Sequence, residues 1–274
     1  MEWNDFLAGI RMMPQARKQL KDFIGKGQIH ENEYCSNRAL FFENRELFYE
    51  EIRKKKDYRM AFLYYYCRMA MEIYEVYQER KIDLQIYWDT FYDLTLWCEN
   101  CYNTYGEYGI GEYDWFFRHI ECKIFRIGRL EFEQLNSPWK VQSEAITVNK
   151  GDHIISIHIP QGEKLEMQAV IASLKQGKDF WKCPMVYLCH SWLLYPGLKH
   201  VLQKSSNILQ FQNLFQIVQT DYTEREAEGR IFGEVQEDVT KYSEKTSLQK
   251  SAKRYLLSGK KLGNGLGILK RPFE

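Results

Sequence analysis

The chain has 274 residues, 45% of them hydrophobic and 27% charged, with a formal net charge of +1. This composition excludes intrinsic disorder, and the balanced charge excludes the basic surplus that holds a nucleic-acid backbone. Aromatic residues reach 15%, led by 19 Tyr and 16 Phe, enough to fill a sizeable core.

Residues Asn4 to Phe23 read as a helix that Pro14 kinks or splits. The run Arg53-Lys54-Lys55-Lys56 reads as a solvated link between helices. Residues 57–80 place Phe62, Tyr65, Met69, Ile73, Val76 and Tyr77 at spacings of three and four, which is one helix face. Residues 83–105 repeat the pattern with Leu84, Trp88, Phe91, Leu94, Cys98, Cys101 and Tyr105, and Asp83 is placed to cap the start. Cys98-Glu99-Asn100-Cys101 falls inside that stripe with no second pair to complete a zinc site, so it reads as core and no metal is expected. Gly106, Gly109 and Gly111 then interrupt the helical period. These patterns give an all-α N-terminal domain over 1–115 and a second domain over 116–274.

The second domain changes period. Phe125 to Glu133 alternates charged and apolar residues as one strand ending at Glu133. Val141 to Val148 is a second strand, Asn149-Lys150-Gly151-Asp152 a turn, and His153 to Ile159 a third strand forming a hairpin with the second. Glu163 to Trp181 is a helix with Met167, Val170, Ile171 and Leu174 as its buried stripe. Met185 to Leu194 is a fourth strand, followed by a short helix over Leu198 to Gln203. Ser206-Asn207 opens a further helix, and Gln216 to Tyr222 drifts to strand. Glu224 to Gly233 and Thr246 to Leu257 are helices, the latter closed by Gly259, and the Gly263–Gly267 tract leads into a last strand. The class is therefore α+β in two domains.

Strand ends that face helix starts are where α/β folds place ligands, which directs attention to 153–165 and 185–195. His158 and Ser156 share one strand face, opposite Ile155, Ile157 and Ile159. His158 reads as a general base or as a structural histidine bonded to backbone. His190 and Ser191 are adjacent and point to opposite faces, so they do not pair. Ser191 reads as a nucleophile paired with His158 across neighbouring strands, or as a buried hydroxyl. Cys189 shares its face and reads as a thioester former or a small hydrophobe. Tyr195 reads as a proton donor or as packing, and Glu133 as a proton acceptor or as a solvated strand end.

Four segments carry a resemblance: Arg126-Ile-Gly-Arg-Leu-Glu-Phe-Glu133, His158-Ile-Pro-Gln-Gly-Glu-Lys-Leu165, Cys189-His-Ser-Trp-Leu-Leu194 with Pro196, and Ser206-Asn-Ile-Leu-Gln-Phe211 with Phe215. Together they resemble the bacterial GNAT-like acyltransferase-domain proteins, in which a helical domain precedes a GNAT-like mixed α/β C-terminal domain. The resemblance implies two central parallel strands, 153–159 and 185–193, that splay to admit an acyl-coenzyme A. It implies a pyrophosphate at the helix N-terminus near Glu163 and cofactor contacts from Ile159, Gln161, Gly162, Lys164 and Asn207. Under the activity it implies, Glu133 or His158 is the base and Tyr195 the acid, with Ser191 a further catalytic candidate. The activity implied is transfer of an acyl group, acetyl in the first instance, from acyl-CoA to a small-molecule or peptide amine. In such a family the helical domain walls the acceptor pocket.

The turn Pro160-Gln161-Gly162-Glu163-Lys164 holds one glycine and an acid where the family's phosphate turn is glycine-rich. That departure supports an alternative, a non-catalytic ligand- or protein-binding module that retains the fold without the phosphate turn. A third reading is an acyl-enzyme formed on Ser191 or Cys189. Met1 to Asp5 carry acids where a secretory leader carries bases, and no run approaches the roughly 18 apolar residues of a membrane span. With seven cysteines, an odd number, these features lead to the expectation of a cytoplasmic protein without membrane or nucleic-acid partners.

Overall fold

The computed structural model describes residues 1–144, 146–182 and 185–270. The chain divides into two units, Met1–Arg126 and Ile127–Glu274.

The first unit is built from α1 (Trp3–Gly9), α2 (Pro14–Gly25), α3 (Glu31–Glu43), α4 (Arg45–Arg53), α5 (Tyr58–Glu79), α6 (Leu84–Phe91), α7 (Asp93–Tyr105) and α8 (Phe117–Ile120). Pro14 splits the first helix as expected and opens α2 at a position that needs no N–H donor. In α5 every residue from Met60 to Cys67 is buried, so this part of the helix is surrounded rather than amphipathic. Tyr34 stacks on Tyr65, and Phe48 meets Phe62 and Tyr65 edge-on. The stripe over 83–105 is two helices rather than one, broken at Tyr92. Asp83 caps the first, accepting a hydrogen bond from the Gln85 N–H at 2.8 Å. Gly106 closes α7 at φ +74, a conformation that disfavours a Cβ.

The second unit carries a six-stranded sheet whose strands, in chain order, are β1 (Ile124–Ile127, spanning the boundary), β2 (Leu130–Asn136), β5 (His153–His158), β6 (Val186–Ser191), β7 (Phe215–Asp221) and β8 (Asn264–Leu269). Two short strands, β3 (Val141–Gln142) and β4 (Thr147–Val148), pair only with each other. The spatial order is β1-β2-β5-β6-β8-β7, so the last strand inserts between β6 and β7. The helices are α9 (Met167–Trp181), α10 (Asn207–Gln212), α11 (Glu226–Phe232) and α12 (Ser247–Leu257). Thr246 and Gln249 form a reciprocal capping box at the start of α12.

Three expectations change. The single strand over 125–133 is a hairpin, because Gly128 at φ +66 turns the chain between β1 and β2. Glu133 is consequently a mid-strand, buried residue and not a solvated strand end. The stretch 141–148 folds on itself, the Ser143 N–H bonding to the Ile146 carbonyl at 2.8 Å and the Ile146 N–H to Ser143 Oγ at 3.0 Å. That closure leaves β5 to pair antiparallel with β2 instead. Finally, α9 begins at Met167, several residues after Glu163.

One sheet face packs on α9. Ser173 of α9 accepts from the Leu130 N–H at 3.0 Å and donates to the Ile127 carbonyl, pinning the helix to the β1–β2 turn. Gly177 lets the Phe132 ring approach, since a Cβ there would lie 2.7 Å from it. The opposite face carries Ile154, Leu188, Leu266 and Ile268, packed with Val141, Val148 and Trp139 of the β3–β4 segment.

Candidate active site

The two parallel central strands part company. The β5–β6 ladder has three rungs: Ile154 with Val186, Ile155 with Tyr187, and Ser156 with Leu188. Beyond that point β5 stays paired with β2 as far as His158 opposite Glu131. Over the same stretch β6 stays paired with β8 as far as Ser191 opposite Gly265. Each strand follows its outer neighbour, so a slot opens between Ile157–His158 and Cys189–Ser191.

Register decides which side chains surround the slot. Directly paired residues and residues two apart share a sheet face. Glu133, Ser156, Glu131 and His158 therefore lie on one face, with Leu188 and His190 on the same face of β6. The sequence left Glu133 and His158 as separate candidates. Here His158 Nε2 lies 2.9 Å from Glu133 Oε2, with Glu133 buried and His158 half-buried. A carboxylate in its ionised form only accepts hydrogen bonds, which matches it to the Nε2–H tautomer of His158. This is the geometry of an imidazole whose tautomer is set by a carboxylate.

Ser191 does not meet His158. It lies on the α9 face of the sheet and caps the following 3-10 turn, accepting from the Leu193 N–H at 3.2 Å. Cys189 is fully buried on that same face, and burial pushes its thiol pKa up, so it stays protonated and packed. Tyr195 is buried in a separate cluster with Leu198, Ala227 and Ala252. Its hydroxyl donates to the Lys261 carbonyl at 2.8 Å and lies 3.0 Å from the Tyr255 hydroxyl. Burial, then the hydrogen bond with Tyr255, raises its pKa. Asn207 is the first residue of α10, and Ser206 is the cap, accepting from the Ile208 N–H at 3.2 Å.

The turn after β5 runs from Ile159 through Gln161, Gly162 (φ +96) and Lys164 to the start of α9. Its shape is held by a residue the sequence did not single out for the site. The buried guanidinium of Arg129 donates from Nε to the Lys164 carbonyl at 3.0 Å and from Nη2 to the Glu163 carbonyl at 2.8 Å. Glu163 itself is exposed. The first bond of the α9 ladder is Val170 N–H to the Glu166 carbonyl, so the N–H groups of Met167, Gln168 and Ala169 precede the ladder at the positive end of the helix dipole. The acid at 163 is thus separated from those amides. Gln212 is a second residue missed, donating to the Leu193 and Tyr195 carbonyls at 2.8 and 2.9 Å and fixing the segment after β6. A glutamine in a short helix gives no signal of this in the sequence. Arg129, directly after a turn glycine, gives a faint one.

Within the first unit, Cys98 and Cys101 are buried core thiols, raised by burial to about 12 and about 11. No described helix is long and apolar enough to cross a membrane.

Comparison with known proteins adds the following. Residues 124–269 match the family described as GNAT-like C-terminal domain, and residues 1–122 match the N-acyltransferase N-terminal domain. A solved acyltransferase mutant in complex with octanoyl-CoA is similar over 98% of this chain and 87% of its own, at 18% identity and a TM-score of 0.75. An acyltransferase in complex with decanoyl-CoA and teicoplanin is similar over 99% of this chain and 100% of its own, at 16% identity and a TM-score of 0.68. An acyltransferase in complex with CoA and 10C-teicoplanin shares 20% identity over 76% of this chain, with a TM-score of 0.65, and the match spans 65% of that protein. At these identities the likeness establishes a shared fold. No curated protein matches the chain.

Proposed function

The chain belongs to the family of proteins with a GNAT-like C-terminal domain, here preceded by an N-acyltransferase N-terminal domain, and on that premise we propose that it transfers an acyl group from acyl-CoA to an amine. The observation that carries this reading is the three-rung β5–β6 ladder with the His158–Glu133 pair at its open end. A slot between strand edges suits an extended pantetheine arm, whose amides match strand backbone. The diphosphate of CoA would meet the amides at the start of α9, on the turn that Arg129 shapes.

His158 accepts the proton as the amine nitrogen attacks the thioester carbonyl, and Glu133 holds the imidazolium that results. The acceptor is a small-molecule or peptide amine. The solved neighbours are described with octanoyl- and decanoyl-CoA, which sets medium chains beside acetyl as donors to compare. The non-catalytic reading rested on Glu163, which precedes α9, while Glu166 is the acid that stands at the N-cap of that helix.

The test is thermal shift with acetyl-CoA and octanoyl-CoA, followed by thiol release with hydroxylamine as a surrogate amine. Binding to the folded state at 100 times Kd raises its stability by about 2.7 kcal/mol. No shift with either donor at millimolar concentration returns the protein to the binding-module class.

A further inference from the structure

The β5 residue two beyond the last β5–β6 rung is His158, and the β6 residue two beyond it is His190. Both share the face of Ser156 and Leu188, so the two imidazoles stand on opposite banks of the slot and on the same side of the sheet. His190 is half-buried. Its ring packs against Trp139, with centroids 5.5 Å apart.

Across β8, His190 is opposite Leu266, which is opposite Gln219 of β7, and Asp221 follows two residues on along the same face. Asp221 accepts from the Thr223 N–H at 2.8 Å and from the Thr223 hydroxyl at 2.9 Å, which fixes its carboxylate. Those two bonds, with a smaller contribution from the nearby His190, hold Asp221 below the usual carboxylate range. The His158 bank thus carries a carboxylate in hydrogen-bond contact, and the His190 bank carries one on the same sheet face, two strands away.

We propose that His190 is a second catalytic residue, the general acid that protonates the departing CoA thiolate. This rests on the acyl-CoA reading above. In the step proposed, the amine nitrogen forms its bond to the thioester carbonyl carbon and passes a proton to His158. The carbon–sulfur bond breaks with its electron pair on sulfur, and His190 gives that sulfur a proton. The products are an amide and the free CoA thiol, and solvent exchanges the protons of the two histidines back. Asp221 is a positioning residue, its negative charge standing on the same sheet face as His190 across β8. Sequence adjacency concealed this role, because His190 was weighed only against its neighbour Ser191.

An acid matters only when the leaving group needs a proton, which gives a direct test. Thiol release is measured for wild type and His190→Gln with octanoyl-CoA and with S-phenyl thiooctanoate, hydroxylamine serving as the amine and the uncatalysed rate subtracted. An alkyl thiol has a pKa of about 8.5, whereas the aryl thiolate leaves without protonation. The expected result is a fall of roughly 100-fold with octanoyl-CoA, in the range for general acids, and less than about threefold with the aryl thioester. Octanoyl-CoA binding by calorimetry should stay within about threefold of wild type. Equal losses with both donors, or no loss with octanoyl-CoA, overturn the proposal. Asp221→Asn, at a partly exposed position, is the second variant and should show the same donor dependence at smaller amplitude. Should wild type neither bind octanoyl-CoA nor release its thiol, the acyl-CoA reading itself falls, and that outcome is separate from a flat His190→Gln result.

Discussion

Glu133→Gln tests whether the buried carboxylate acts through His158. The pair is separated by 2.9 Å, and about a quarter of the His158 side chain is exposed. Two unit charges near 4 Å interact by about 4 kcal/mol at an effective dielectric of 20, but solvent at the half-exposed imidazole reduces this. A hydrogen bond to a charged group contributes roughly 1.5–3 kcal/mol. Lost only in the transition state, that corresponds to a fall in kcat of roughly 10- to 160-fold at 1.36 kcal/mol per tenfold. His158→Ala should cost about 100- to 10,000-fold, the usual range for a general base. If Glu133 acts only by orienting and charging His158, adding Glu133→Gln to His158→Ala should change kcat by less than about threefold. The assay is thiol release from octanoyl-CoA with hydroxylamine, with donor binding measured separately by calorimetry. Equal factors for Glu133→Gln in both backgrounds would show that the carboxylate works independently of the histidine, and the dyad would be discarded.

Three further outcomes follow from other parts of the structure. Arg129→Gln removes the donors that hold the Glu163 and Lys164 carbonyls, so octanoyl-CoA Kd should rise about tenfold with kcat little changed; an unaltered Kd in calorimetry would separate that turn from the donor site. Gly265→Ala places a Cβ 2.2 Å from the Leu194 carbonyl oxygen, a backbone atom that cannot swing aside, and should cost roughly 1–3 kcal/mol in urea unfolding. The buried thiols of Cys98 and Cys101 have folded-state pKa values raised to about 12 and about 11 from an ordinary 9.0. The folded state holds those protons more tightly, so their contribution is complete below about pH 9 and is lost as pH rises through 11 to 12. Urea midpoints across that window should fall, and at pH 8 a thiol reagent should reach exposed Cys35 well before them.

Much of this molecule can be read locally. The 3.6-residue period of α5, the cap at Asp83, the break at Pro14 and the closing glycines at 106 and 259 were all visible, because each is set by a few neighbouring residues. The change from helical to alternating period marked the two-part architecture, and the four segments of family resemblance all lie in the second part. What the sequence alone mislaid depended on a turn's sign. Alternation through 125–133 looks the same whether or not Gly128 reverses the chain, and only the reversal buries Glu133 in mid-strand.

The amino-acid order by itself determined α5, α12 and several other helices, some of the strands and the individual residues able to carry a proton, but not α3 or α4. Tertiary structure alone decided which of them meet. His158 and Glu133 are 25 residues apart, and nothing between them encodes the antiparallel register that joins them. Beyond Leu188, β6 follows β8 and not β5, which opens the slot, and the Ser156–Leu188 rung sets His190 rather than Ser191 on the side of His158. The physical reason is the two-residue period of a strand: a shift of one rung exchanges the faces, and only long-range pairing fixes the rung.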